Sequence, residues 1–242
     1  MRIWITGAST GIGAATAQEL ARRGHTLFLT ARSADRLAEL PGAALPGDVT
    51  DRARMHAIAA EIGEIDVALL NAGTYVPVDP LHLDADVFRE HLDVNVMGTV
   101  HCIEAVLPRM LERRAGRIAV VASVTGFAAL PRAAAYGATK AFLISMCDSL
   151  RADLAGTGVE VTAINPGYVR TPLTAKNEFS MPFLIDADEA ARAIADGLER
   201  GKPEISFPLT MALTMKTLGA MPGALSRRYA ARLSKRLRSR AQ

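Results

Sequence analysis

The chain has 242 residues, half of them hydrophobic and about a fifth charged, a composition that supports a sizeable core and excludes wholesale disorder. Its two cysteines, Cys102 and Cys147, stand in apolar helical stretches outside any CxxC or Cys/His cluster, so they read as small core residues rather than metal or redox groups. The net charge of +3 is uneven: residues 208–242 carry eight Lys/Arg and no acid, which leaves about −5 on residues 1–207.

Residues 1–6 already read as a strand entering a glycine turn, so no signal peptide is expected and the cytoplasm is the default compartment. No run reaches the ~18–20 apolar residues of a membrane-spanning helix. Short apolar runs at Arg2–Thr6, Thr26–Thr30, Asp66–Leu70, Arg117–Ala122 and Val159–Ile164 predict buried parallel strands; a weaker one is expected within Ala43–Gly47 and a last one at Glu204–Phe207. Between them, apolar residues at three- and four-residue intervals predict helices over 11–23, 33–40, 51–62, 84–112, 133–155 and 188–199. This alternation predicts an α/β doubly wound parallel sheet of the Rossmann type, about seven strands with helices on both faces. One domain is expected over 1–207, with 208–242 as an apolar and then basic tail.

The first turn reads Thr6-Gly7-Ala8-Ser9-Thr10-Gly11-Ile12-Gly13, after a strand and before a helix. Glycines there let the backbone approach a pyrophosphate, and the free N–H groups and dipole of the helix start favour its charge. The spacing is not that of the general dinucleotide fingerprint; it resembles the TGxxxGIG loop of short-chain dehydrogenases. Further residues stand in the order that family uses. Asn71-Ala72-Gly73 is similar to its NAG motif, Asn95 stands where it places a catalytic asparagine, and Ser123 ends a strand. Tyr136 and Lys140 follow, then Pro166-Gly167, Val169, and Thr171 where the family holds the nicotinamide amide. The likeness spans residues 2 to about 207.

Tyr136 and Lys140 at i and i+4 share a helix face. A neighbouring ammonium brings a phenol of ordinary pKa near 10 closer to working pH. The resemblance implies that Tyr136 moves the proton, Ser123 donates to the carbonyl oxygen, Lys140 also bonds the nicotinamide ribose, and Asn95 holds a water linking Lys140 to solvent. The second strand ends in Ala31-Arg32 where an acid would select NAD, so NADP(H) is expected over NAD(H). Thr10, however, replaces the family's second basic marker. Asp48-Val49 resembles the adenine-contacting pair. The five histidines form no HxH, HxxxH or HExxH pair, so no metal is expected.

The implied substrate is a small-molecule carbonyl or alcohol. A largely apolar lid over 171–187, with Leu173, Phe179, Met181, Phe183, Leu184 and Ile185, favours a hydrophobic one. The resemblance also implies a homodimer or homotetramer through helices 84–112 and 133–155. A cofactor-binding regulatory or scaffold protein without turnover is the alternative, but such a protein usually loses the tyrosine or the lysine. In the tail, Leu225, Tyr229, Leu233 and Leu237 fall on one helical stripe among arginines. Two readings stay open there: peripheral association with an anionic membrane, or packing on the domain or a partner subunit. Nucleic acid is not an expected partner, because the basic residues are confined to the tail.

Overall fold

The strand β1 (Arg2–Thr6) is apolar at consecutive positions, and since successive side chains point to opposite faces, both faces of its sheet need cover. In a computed structural model, which describes residues 1–176, 180–224, 228 and 231, that cover is supplied by helices on either side. In chain order β1 is followed by α1 (Gly11–Arg22), β2 (Thr26–Thr30), α2 (Ala34–Ala38), β3 (Ala43–Ala44), α3 (Arg52–Ile62), β4 (Val67–Leu70) and α4 (Ala85–His91). Then come α5 (Gly98–Glu112), β5 (Gly116–Val121), α6 (Ala134–Asp153), β6 (Val159–Pro166), β7 (Val169–Arg170) and β8 (Ile185–Asp186). The last elements are α7 (Ala187–Glu199), β9 (Glu204–Phe207) and α8 (Leu209–Ala220).

Seven strands form one parallel sheet in the order β3-β2-β1-β4-β5-β6-β9. Ile3, Ile5, Leu69 and Val121 pack under α1 and α7, while Trp4, Leu70, Ile118 and Val120 pack under α3, α5 and α6. The chain reverses its winding between β1 and β4, and the crevice at the carboxyl ends of strands on either side of such a switch point is where ligands sit in this architecture. β7 and β8 pair with each other and clamp the two ends of the expected lid, helped by Arg170 Nε on Asp186 Oδ1 at 2.8 Å. Phe179 of that lid lies outside the described residues.

Two sequence expectations are revised. The helix expected over 84–112 is α4 and α5 joined by a π-helical turn, Leu92–Met97. The interruption accompanies Asn95, whose side chain turns inward to bracket the Thr74 peptide: Thr74 N donates to Oδ1 at 2.7 Å and Nδ2 donates to Thr74 O at 3.1 Å. The domain also does not stop at 207. α8 buries Met211, Ala212, Met215 and Leu218 against Val124, Phe127 and Tyr168, so this stretch is part of the body. The stripe of Leu225, Tyr229, Leu233 and Leu237 lies outside the described residues. Among the described residues, no helix is long and apolar enough to cross a membrane.

Candidate active site

At the switch point the glycine turn leads from β1 into α1. A β-carbon on Gly13 would overlap the carbonyl oxygen of Gly7, so the helix start approaches the turn only because that side chain is missing. Thr10 caps α1 in an extended conformation without a side-chain hydrogen bond, and no acid occupies the first turn. The orphan N–H groups and the positive end of the helix dipole are therefore left for an anion. Asn71 fixes the loop from the other side, donating through Nδ2 to Thr6 O at 3.1 Å and to Gly7 O at 3.0 Å. Asn71 N and Ala72 N both donate to Thr6 Oγ1.

These residues open onto a groove of about 570 Å³, which also takes in Ser9, Ile12, Gly73, Asp48, Val49 and Thr171. Its far end is made by Arg32, Ser33 and Arg36. The polarity suits a dinucleotide: a glycine cradle at an uncapped helix start, with the guanidinium groups of Arg32 and Arg36 on the same groove. Asp48 is held in a tight turn, its Oδ1 accepting from Thr50 N and Thr50 Oγ1 at 2.9 Å each. Thr171 lies against Gly11, with its own hydroxyl in a short network to Thr174.

Beside the groove lies a second cavity of about 230 Å³, lined by Ser123 and Tyr136. Ser123, two residues past β5, caps the short turn Val124–Gly126, accepting from Thr125 N at 3.2 Å and donating towards Thr125 Oγ1 and Pro166 O. Contrary to the lowering expected from the neighbouring ammonium, burial pushes the Tyr136 phenol up to about 12, against the opposing influence of the Ser123 hydroxyl. One turn further along α6, Lys140 is buried; its Nζ donates to Val121 O at 2.8 Å and stands 5.5 Å from the centre of the Tyr136 ring. Burial pulls this ammonium down to about 8. Among the described residues Lys140 has a carbonyl partner and no ion pair, and a buried cation so placed next to a half-buried phenol is the arrangement that functional sites use to shift pKa values.

Asn95 is buried behind them. Besides bracketing Thr74, its Nδ2 donates to Thr139 Oγ1 at 3.1 Å, and its backbone carbonyl accepts from Thr99 Oγ1 at 2.8 Å. Ser123, Tyr136, Lys140 and Asn95 are thus brought together. Of the expected cofactor residues, Gly13, Lys140, Pro166 and Val169 line neither cavity, and Tyr136 and Gly167 face the second cavity instead of the groove.

A family model described as short chain dehydrogenase matches residues 2–180. The chain belongs to the short-chain dehydrogenase family. It is 38% identical over 242 residues to an uncharacterized oxidoreductase of Myxococcus xanthus (strain DK1622), covering 95% of this chain and 96% of that one. A short-chain dehydrogenase from Sphingobium yanoikuyae, solved in complex with NADPH, superposes with a TM-score of 0.80 at 30% identity, covering 90% and 91% of the two chains. A family member from Burkholderia phymatum, solved in complex with NAD, gives a TM-score of 0.81 at 23% identity, covering 89% and 91%, and bears on the fold. As a member of this oxidoreductase family with its tyrosine and lysine in place, the chain gives no support to the non-catalytic alternative.

Sequence reasoning missed several residues. Arg36 stands four positions after Arg32, within the first turn of α2, a spacing visible in the chain. Tyr75 packs edge-on to Tyr136, ring centres 5.2 Å apart, and His91 does so at 6.5 Å. His91 accepts from Val76 N through Nε2 and donates to Val87 O through Nδ1. The wall made by Met211, Thr214 and Met215 was hidden because its segment resembled a tail, although Met211, Met215 and Leu218 recur at i, i+4 and i+7.

Proposed function

We propose that the protein transfers a hydride between NADP(H) and the carbonyl or secondary alcohol of a small hydrophobic substrate. The observation that carries this reading is the meeting of Tyr136, Lys140 and Ser123 at the boundary between a polar groove ending in two arginines and an apolar cavity. The nicotinamide cofactor, when bound, supplies or takes the hydride. The chain's residues do the rest. Ser123 donates to the substrate oxygen where charge builds. Tyr136, held protonated by its burial, hands its proton to that oxygen in reduction and takes it back in oxidation. Lys140 stabilises the phenolate left behind. Asn95 positions the Thr74 backbone and Thr139 around them, and the water-holding role that the family resemblance implies is kept for its surroundings in the π turn.

Arg32 and Arg36 give the groove its preference for a phosphate on the adenosine ribose. Steady-state kinetics with NADPH and NADH and a panel of ketones and aldehydes tests both halves of the reading. Equal kcat/KM for the two cofactors would overturn the preference, and no turnover of any carbonyl would overturn the reaction. Exposed Leu92, Met97, Leu111 and Phe142 on the α4–α5 and α6 surfaces support a homodimer or homotetramer, which light scattering measures. Exposed Leu209 and Leu213 on the outer side of α8, followed by the basic chain end, support peripheral association with an anionic membrane. Failure of the full-length protein to co-sediment with phosphatidylserine vesicles at low salt would leave packing as the role of that end.

A further inference from the structure

We propose that the cavity beside Tyr136 takes an uncharged ketone bearing one aromatic ring, of about the size of acetophenone. The inference rests on the reductase reading and names its substrate class. Four aromatic side chains (Tyr75, Tyr136, Tyr168 and Phe183) and two methionines of α8 (Met211 and Met215) form its walls. Among the described residues no Lys, Arg, His, Asp or Glu lines it. A carboxylate or phosphate entering here would lose its hydration with no opposite charge to receive it.

A sugar fits no better. Apart from Ser123 and Tyr136, which serve the carbonyl oxygen, two of the threonine hydroxyls on the walls already donate elsewhere: Thr174 Oγ1 to Val169 O at 2.6 Å and Thr214 Oγ1 to Thr210 O at 2.8 Å. Each hydroxyl of a buried polyol left without a partner costs roughly 1–3 kcal/mol.

Size follows from volume. A dry apolar cavity of about 150 Å³ holds a benzene molecule, or about 25 Å³ per heavy atom. The 230 Å³ here then holds about nine heavy atoms, one ring with a short acyl group. The walls select a ring over an alkyl body of equal size. Tyr75 already meets Tyr136 edge-on at 74°, the geometry that aromatic pairs prefer, and thioether sulfurs favour ring edges. In reduction the carbonyl carbon receives a hydride, with both electrons, from the reduced cofactor, which leaves oxidised. The C=O π bond opens onto oxygen, and oxygen takes the Tyr136 proton to give the secondary alcohol.

The test compares kcat/KM, with NADPH, for acetophenone, cyclohexyl methyl ketone, 2-acetylnaphthalene, phenylglyoxylate, erythrulose and propanal. Calorimetric binding of acetophenone to the NADPH-loaded Tyr136→Phe protein supplies a readout without turnover. Expected are a five- to tenfold lead of acetophenone over its cyclohexyl counterpart, about the value of one aromatic contact, and a deficit of at least about 100-fold for phenylglyoxylate. Met215→Ala should raise the ratio of 2-acetylnaphthalene to acetophenone about tenfold by opening the wall. Preference for phenylglyoxylate or erythrulose overturns the proposal. Turnover of propanal without acetophenone turnover or binding overturns it while leaving the reductase reading standing. Bound NADPH with no carbonyl reduced overturns the reductase reading and this proposal with it.

Discussion

The two cavities that meet at Tyr136 are built in opposite ways. The groove is made largely of backbone and short polar residues on the four consecutive loops that follow β1, β2, β3 and β4, with Gly7, Ser9, Thr10 and Gly11 on the first and Asn71, Ala72 and Gly73 on the fourth. The apolar cavity is made of bulky side chains drawn from separate parts of the chain, from Tyr75 to Met215. Leu173 is the one lining residue they share among those described. A groove of backbone N–H groups accepts the same anion whatever surrounds it, whereas a cavity of side chains takes its shape from every residue in it. One half of the site is a fixed platform; the other takes its selectivity from side chains.

The sharpest way to separate the halves is to remove the group at their boundary. Tyr136→Phe deletes the transferable proton and leaves the ring that packs against Tyr75. Its kcat should fall by roughly 10²–10⁴-fold, while the dissociation constant for NADPH, read by fluorescence titration, stays within about threefold. A variant retaining a tenth of wild-type kcat would break the assignment of the proton donor.

Lys140 belongs to neither half and is buried where they join. Burial lowers its folded-state pKa from 10.5 to about 8, so between these values the unfolded chain binds more protons than the folded one. Folding stability therefore rises with pH across that window, by up to roughly 1.4 kcal/mol per pH unit from this group. Cys102 and Cys147, whose thiols burial pushes up from 9, oppose it at the alkaline end. The difference between wild type and Lys140→Met in urea unfolding isolates the lysine. The wild type should gain on the variant between pH 8 and 10.5, and a flat difference would mean that the ammonium is solvated.

On the groove side, Arg32→Ala and Arg36→Ala should each raise KM for NADPH by about ten- to a hundredfold, the worth of a charge-assisted hydrogen bond. KM for NADH should stay within about twofold. Equal losses with both cofactors would place these arginines outside phosphate recognition and make the groove as indifferent to its ligand as any polar cleft.

The same contrast explains what was legible in the sequence. Gly7-xxx-Gly11-x-Gly13, Asn71-Ala72-Gly73 and Tyr136-xxx-Lys140 are local, because a loop or one face of a helix needs its residues at fixed short spacings. The strands were legible because both faces of the sheet are buried and apolar runs report that directly. The π turn was not, since the contact that accompanies it, Thr74 N donating to Asn95 Oδ1, joins residues 21 positions apart. Nor was α8, whose methionines look like any apolar stretch until Val124 and Phe127 are seen beneath them. Arg36 was readable in principle, as a second cation four positions after the first.

The smallest effect is expected where α8 leans on the segment Val124–Phe127 that follows Ser123, and it tests whether the apolar half is a separate part. A β-carbon at Gly219 would overlap the carbonyl oxygen of Phe127, a backbone atom that cannot swing aside. Replacing glycine by alanine inside a helix ordinarily gains up to about 1 kcal/mol, but relieving such an overlap costs about 1–3 kcal/mol, so the clash wins and α8 shifts. Lys216, which pairs with Glu204 at 2.6 Å and lies over the Phe127 ring, keeps the helix tethered, so the shift should be small. Met215, one turn before Gly219, moves with it and the ketone-side wall changes. Gly219→Ala is therefore expected to lower stability by about 1 kcal/mol and to raise KM for the ketone substrate two- to fivefold. KM for NADPH should not change, because no residue of α8 lines the groove among those described. Equal rises in both constants would show that α8 acts through the Val124–Gly126 turn and Ser123 on the whole site, and the division into two independently built halves would fail at that turn.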